Sequence, residues 1–212
     1  MKQNYQLLLD RTIRELEERQ EVPTLFLHSC CAPCSSYVLE YLSQYFAITV
    51  FYYNPNIYPD EEYRQRVEEQ KRLIEVIPAK HPIGFVEGDF DKERFFQVTH
   101  GLEDLPEGDE RCRRCYRLRL EEAAKMAKEL GMDYMTTTLS ISPRKNAEWL
   151  NEIGREMEML YGVSYLYSDF KKRNGYQRSV ELSAAYGLYR QDYCGCIYSY
   201  QERKRQSQEM KQ

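Results

Sequence analysis

Apolar positions recur along this chain with two different periods, and the alternation between them predicts its elements. From Tyr5 to Gln20, Leu8, Ile13 and Leu16 are spaced helically among charged residues, and Pro23 ends the segment. The run Thr24-Leu25-Phe26-Leu27-His28 then reads as a buried strand that leads directly into Cys30. Residues 35–43 return to helical spacing through Val38, Leu39 and Leu42. The β-branched and aromatic run from Ile48 to Tyr53 predicts a second strand, stopped by Asn54-Pro55-Asn56. Asp60 is placed to cap a long charged helix through about Ile77.

Farther along, Ile83–Val86 predicts a short strand, and a helix carrying Phe95, Phe96 and Val98 ends near Gly101. The acidic stretch 103–110, with Pro106 and Gly108, reads as a loop. Helix returns from Cys112 to Leu130 and closes at Gly131. Asp133–Leu139 predicts a strand, 146–161 a helix, 171–178 a basic loop and 179–190 a helix. From about Gln201 the tail is polar and is expected to fray. Strands alternating with helices imply βαβ units, hence an α/β fold with a mostly parallel sheet flanked by helices. In such folds ligands gather at the carboxyl ends of the strands. Three of the predicted ends carry polar or thiol groups: Cys30-Cys31, Asn54-Pro55-Asn56 and Thr136-Thr137-Thr138.

Length adds the expectation of a single α/β metalloenzyme domain over 1–212, with no internal repeat or linker. Such a chain can bury a core without disulfide staples. No stretch approaches the ~20 apolar residues needed to cross a bilayer. Met1–Tyr5 runs straight into polar, helix-like sequence with no apolar secretion core, so a cytoplasmic location without membrane contact is expected. The formal net charge of −4 excludes a nonspecific nucleic-acid binder.

Seven cysteines in a reducing compartment call for burial, metal binding or redox chemistry, and these are grouped. Cys112 and Cys115, three apart, share one face of a helix's first turn, where free N–H groups and the helix dipole favour thiolate. Arg111, Arg113, Arg114 and Arg117 surround them with positive charge. Adjacent Cys30 and Cys31 do not readily form a disulfide with each other, but both can bind one metal cluster or two nearby metals. With Cys112 and Cys115 they make four thiolates, the count of a cubane iron–sulfur cluster or a structural zinc. Cys194-Gly195-Cys196 differs in kind, because glycine lets the two thiols close a strained, easily reduced ring suited to redox cycling. Two rival readings stand beside this one. Cys31-Ala32-Pro33-Cys34, between a strand and a helix, fits a thioredoxin-like thiol–disulfide oxidoreductase, and four thiols also fit a structural zinc-binding module. The first leaves Cys30, Cys112 and Cys115 unused in a chain about twice a thioredoxin's length.

The ordered set His28-Ser29-Cys30-Cys31-Ala32-Pro33-Cys34, Tyr53-Asn54-Pro55-Asn56-Ile57, Arg111-Cys112-x-x-Cys115 and Cys194-Gly195-Cys196 resembles the cobalamin-independent epoxyqueuosine reductases of the QueH type. Thr136-Thr137-Thr138-Leu139-Ser140 and Ser142-Pro143 also look like that family, so the resemblance runs from about His28 to Cys196. It implies reduction of an epoxide on the cyclopentane ring of the tRNA wobble nucleoside to an alkene, the last step of queuosine synthesis. It further implies a [4Fe–4S] cluster held by Cys30, Cys31, Cys112 and Cys115, and a redox-active pair in Cys194 and Cys196. A second single metal ion, iron or zinc in its place, is implied beside the cluster, with Cys34 near enough to ligate it. The implied architecture is similar to the PP-loop ATPases (HUP-like domains) with cysteine-rich helical additions. The Ser-Gly-Gly phosphate loop is missing, so no ATP use is expected. Without a flavin or nicotinamide fingerprint, electrons are expected from an external donor.

For tRNA, Lys171, Lys172, Arg173 and Arg178, with Arg144 and Lys145, are candidate phosphate contacts. Tyr53, Tyr176 and Tyr193 are candidate stacking surfaces for an unstacked base. Asn54 and Asn56 are read as substrate contacts or as the residues of a strand-ending turn. Asp192, beside the Cys-Gly-Cys segment, is a candidate proton donor, and His28 is expected to be a hydrogen-bonded structural residue.

Overall fold

The structure, a computed structural model, describes residues 3–209. Five strands form one sheet: β1 (Thr24–His28), β2 (Ala47–Tyr52), β3 (Ile83–Glu87), β4 (Tyr134–Thr137) and β5 (Ser164–Tyr165). Their order is β3-β2-β1-β4-β5 and every pair is parallel. The chain therefore begins at the sheet's centre, winds outward to β3, then returns to lay β4 against the other side of β1. A crevice opens where the winding reverses, beyond the ends of β1 and β4.

Eight α-helices cover the sheet: α1 (Tyr5–Arg19), α2 (Ala32–Leu42), α3 (Asp60–Val76), α4 (Lys92–Thr99), α5 (Glu110–Glu129), α6 (Ala147–Tyr161), α7 (Gly175–Ala185) and α8 (Ile197–Glu209). Side chains alternate across each strand, so each strand feeds two cores. Phe26, Phe51 and Met135 pack with Leu118 and Leu120 of α5 and with Leu150 and Ile153 of α6. Leu25, Leu27, Ile48 and Val50 point the other way, toward Leu9 and Ile13 of α1, Val38 and Leu39 of α2 and Leu73 of α3. Helix starts are capped as short polar side chains allow. Asn4, Asp91 and Asn146 each accept two backbone N–H groups at the starts of α1, α4 and α6. None of the described helices is long and apolar enough to cross a membrane.

The α/β architecture with its parallel, helix-flanked sheet is as expected, and the differences are local. Pro59, not Asp60, occupies the cap position of α3, so Asp60, Glu61 and Glu62 fill its first turn and meet the positive end of the helix dipole. β4 stops at Thr137 because Thr138–Ile141 tighten into a 3₁₀ turn, whose start is capped when the Thr137 hydroxyl accepts the Leu139 N–H. β5, two residues long, is too short to show a period. α5 begins two residues before Cys112, α7 takes Tyr176 and Arg178 out of the expected loop, and 186–190 are not helical. The polar tail is helical through Glu209; residues 210–212, like Met1 and Lys2, lie outside the described residues.

α6 approaches β5 closely because Gly154 has no side chain: a Cβ there would collide with the Tyr165 ring. Gly154→Ala is therefore expected to destabilise the fold by roughly 1–3 kcal/mol through overpacking. Urea unfolding would show this as a lowered midpoint at unchanged slope, and an unchanged midpoint contradicts the packing.

Candidate functional site

The end of β1 builds the floor of the crevice. Ser29 continues the sheet by donating its N–H to Phe51 O at 2.9 Å, and Cys31 then stands extended at the start of α2. The Sγ atoms of Cys30, Cys31 and Cys34 all lie within 4.8 Å of one another, and those of Cys30 and Cys31 are 3.8 Å apart. These three thiols are spaced to hold a metal ion. Cys30 gives up its proton first, since Cys31 and Cys34 can both hydrogen-bond its thiolate; by the same coupling Cys34 is the last. The floor is tied to β4 through Thr138, whose hydroxyl accepts the Cys30 N–H at 3.3 Å. His28 is structural, as expected: its ring nitrogens sit 2.8 Å from Thr137 Oγ1 and 3.1 Å from Tyr53 O. Burial, with Arg119 nearby, pushes its pKa down to about 3, so it stays neutral.

α5 supplies the second thiol pair. Cys112, Cys115 and Arg119 fall at i, i+3 and i+7 and so share one face. Cys112 sits in the first turn, Cys115 one turn deeper, and both are buried. The helix start does not hold these thiols as thiolates. Burial pushes Cys112 up to about 11, against the Gly108 N–H at 3.3 Å from its sulfur, and Cys115 up to about 12. Desolvation outweighs the dipole here.

The third group hangs on α3. Gly195 has φ +120°, a backbone region that glycine fills without strain, and a Cβ there would lie 2.9 Å from Arg66 Nη1. The Gly195 carbonyl accepts the Tyr58 N–H at 2.8 Å, and Arg66 reaches the Cys194 carbonyl at 3.5 Å. Glu62 pairs with Arg66 at 2.7 Å and accepts from Tyr189 Oη at 3.0 Å, which ties the incoming segment to the same helix. Cys196 is buried just before α8, where its sulfur accepts the Ser199 N–H at 3.5 Å. Cys194 is half-buried and lies 3.6 Å from Lys145 Nζ.

All three groups come close to two cations, buried Arg119 and half-buried Lys145. Arg119 donates to Asn54 Oδ1 and, at 3.3 Å, to His28 Nε2, and it is close enough to Cys115, Cys30 and Cys194 for their charge to act on it. Lys145 is likewise acted on by Cys194, Cys30 and Cys34. Burial works against charge on both, the sulfurs work for it, and the balance raises both pKa values. Among the described residues neither cation has a carboxylate partner. The cavity above them holds about 350 Å³, with Cys30, Cys34 and Cys194 in its wall.

The other candidates separate. Asn54 faces the cavity but spends both ends of its amide on Ser29 O and Arg119. Asn56 also lines it, and its buried Oδ1 has no partner. Arg144 stands exposed at the mouth, while Lys145 turns inward to sulfur. Lys171, Arg173 and Arg178 are ion-paired with Asp169, Asp10 and Glu40, and Lys172 is not part of the cavity wall. Tyr53 is 1% exposed and packed on Phe51, so it offers no surface for a base. Asp192 is paired with Arg203 at 2.7 Å. Sequence reasoning missed Arg66, Arg119 and Gln191, whose Nε2 lies 3.0 Å from Cys31 Sγ. Only Arg119 carried a signal, its register with Cys112 and Cys115.

This chain matches the family model described as "Epoxyqueuosine reductase QueH" over residues 25–202. The chain belongs to the QueH family. Its relatives include the epoxyqueuosine reductase QueH of Streptococcus pyogenes serotype M1, 42% identical over 198 residues, 92% of this chain and 78% of the relative. The protein of the same description from Staphylococcus aureus strain Mu50 is 40% identical over 200 residues, 92% of this chain and 83% of its own. The QueH of Thermotoga maritima is 35% identical over 193 residues, 88% of this chain and 95% of its own. As a QueH protein this chain is an oxidoreductase, an epoxyqueuosine reductase. The thioredoxin-like and zinc-module readings give way to that membership.

The burial pattern sets the order in which the thiols react. In the native, metal-free protein, half-buried Cys194 is expected to take up iodoacetamide first, with Cys34 slowed by its retained proton and Cys31, Cys112, Cys115 and Cys196 protected until unfolding. Peptide mass mapping over a time course reads this directly, and early labelling of Cys115 contradicts the burial of α5.

Proposed function

We propose that this chain is the cytoplasmic enzyme that reduces epoxyqueuosine to queuosine at the wobble position of tRNA. In this reading Cys30, Cys31, Cys112 and Cys115 hold a [4Fe–4S] cluster, and Cys194 and Cys196 form a redox-active pair. The supporting observation is the pair of enclosed cations, buried Arg119 and half-buried Lys145, without carboxylate partners among the described residues. Buried charge is costly unless an opposite charge accompanies it. Of the four proposed ligands only Cys30 is held low enough to be anionic without metal, whereas four thiolates around an iron–sulfur core carry net negative charge. The donor set suits such a cluster, being soft sulfur throughout, with Cys30 and Cys31 3.8 Å apart and Cys112 and Cys115 on one face of α5. Cys34, left over from those four, is the candidate ligand for a second single ion, iron or zinc.

When bound, such a cluster would supply electrons one at a time, and the second single ion beside Cys34 would supply Lewis acidity toward oxygen. The chain's own groups do the rest. Opening the epoxide to an alkene takes two electrons and two protons and releases the oxygen as water. Two thiols becoming one disulfide release two electrons and two protons, so one turnover of Cys194 and Cys196 balances one epoxide. An external donor then returns the pair to dithiol. Lys145 holds a proton at Nζ beside Cys194, on the cavity wall where the departing oxygen needs one. Arg66 and Gly195 fix the position of the pair against α3.

Anaerobic reconstitution with iron and sulfide tests the reading. The loaded protein is expected to be brown and to convert epoxyqueuosine in tRNA to queuosine with dithionite, followed by nucleoside chromatography. Cys112→Ser should lose the colour, the iron and much of the stability that ligation contributes. Cys196→Ser should keep colour and iron and lose turnover. A colourless protein with stoichiometric zinc contradicts the cluster, and equal bleaching of both variants makes Cys196 a ligand rather than a redox partner.

A further inference from the structure

The whole chain carries a net charge of −4, yet six cationic side chains and only two carboxylates line the cavity. Positive charge is thus concentrated at one concave spot of an acidic protein, which focuses potential on an anion approaching it. The six cations divide by depth and by partner. Arg66 is answered by Glu62 and Arg203 by Asp192. Arg119 and Lys145 lie among the sulfurs. Two remain: Arg144 and Arg190, both exposed, both at the mouth, and neither with a carboxylate partner among the described residues. Arg190 donates to the Ser183 hydroxyl at 2.9 Å. Glu107, the remaining acid of the wall, is paired with neither.

Two tyrosines share this rim. Tyr176 is 41% exposed and has no ring partner among the described residues. Its place is fixed because Gly175 starts α7 in contact with the Phe170 carbonyl and the Tyr37 ring, where a Cβ would collide with both. Tyr193 is braced by Arg66, 5.4 Å from its ring, and by a 2.6 Å hydrogen bond to Tyr58 O. The reacting sulfurs lie below this rim, in a recess that a base still stacked within its strand does not enter. A base must be turned out of its stack to reach them.

We infer that the rim formed by Arg144, Arg190, Tyr176 and Tyr193 is the docking surface for a single-stranded RNA loop. In it, Arg144 and Arg190 take the phosphates flanking the extruded nucleotide, and Tyr176 stacks on the neighbouring base. Aromatic stacking with backbone cations is how unpaired RNA is generally held. The inference rests on the tRNA reading above and adds which face meets the RNA. It also separates these residues from Arg173 and Arg178, whose charges are engaged by Asp10 and Glu40.

Fluorescence anisotropy with a labelled, unmodified anticodon stem-loop tests this without turnover, over a range of salt concentrations. Arg144→Ala and Arg190→Ala should each weaken binding about tenfold and lower the slope of log affinity against log salt by about 0.7. Tyr176→Ala should weaken binding about tenfold while leaving the slope unchanged. Arg173→Ala, away from the cavity, should bind as the parent does. Thermal melts of each variant identify any loss that comes from unfolding, and Arg144→Lys should restore the salt slope. If the parent protein does not bind the stem-loop, the tRNA reading itself fails. If the parent binds and the Arg144 and Arg190 variants match it in affinity and slope, the rim is not the docking surface.

Discussion

Two positive charges, one on buried Arg119 and one on half-buried Lys145, neither with a carboxylate partner among the described residues, govern the arrangement of the site. Arg119 and Lys145 sit among sulfur, and their charge is tolerated only with anions around it. Thiols from three distant segments, Cys115, Cys30 and Cys194, come close enough to Arg119 for their charge to act on it. In the proposed cluster, the buried, high-pKa thiols of Cys112 and Cys115 would serve as ligands. Metal binding there would displace their protons, and the resulting negative charge would meet cations already in place.

The fold supplies the meeting point through topology. Because β4 returns beside β1, the Cys30 turn and Thr138 are neighbours, and α5, which packs across that side of the sheet, lowers Cys112 and Cys115 toward the same crevice. α3 performs a different task, anchoring the Cys-Gly-Cys segment through Glu62, Arg66 and Glu69. The Cys194-Gly195-Cys196 segment is therefore held by α3, while Cys112 and Cys115 come from α5. The segment's two cysteines differ: Cys194 faces the cavity, and Cys196 is enclosed at the start of α8.

Much of this was legible in the residues. Four of the five strands, the parallel α/β class and the cysteine groupings follow from periodicity and spacing, because buried strands and amphipathic helices leave patterns many residues long. β5 did not, since two residues have no period. The polar α8 also escaped, because Tyr198 and Tyr200, by which it packs on Arg111 and Tyr58, look in sequence like any surface tyrosines. Within the site, the roles of charged residues were the least readable. Arg173 and Arg178 resemble phosphate contacts until Asp10 and Glu40, each more than a hundred residues away in sequence, are found beside them. Lys145 and Arg144 are adjacent in the chain yet face sulfur and solvent respectively, a distinction that depends on the turn after the 3₁₀ segment.

The central claim is electrostatic, so a potential tests it most directly. Spectroelectrochemical titration of the anaerobically loaded protein should place the midpoint of Arg119→Met below that of the parent at equal iron content. Loss of a buried positive charge disfavours the more reduced, more negative state. A midpoint unchanged or raised in the variant, with iron retained, would contradict the account.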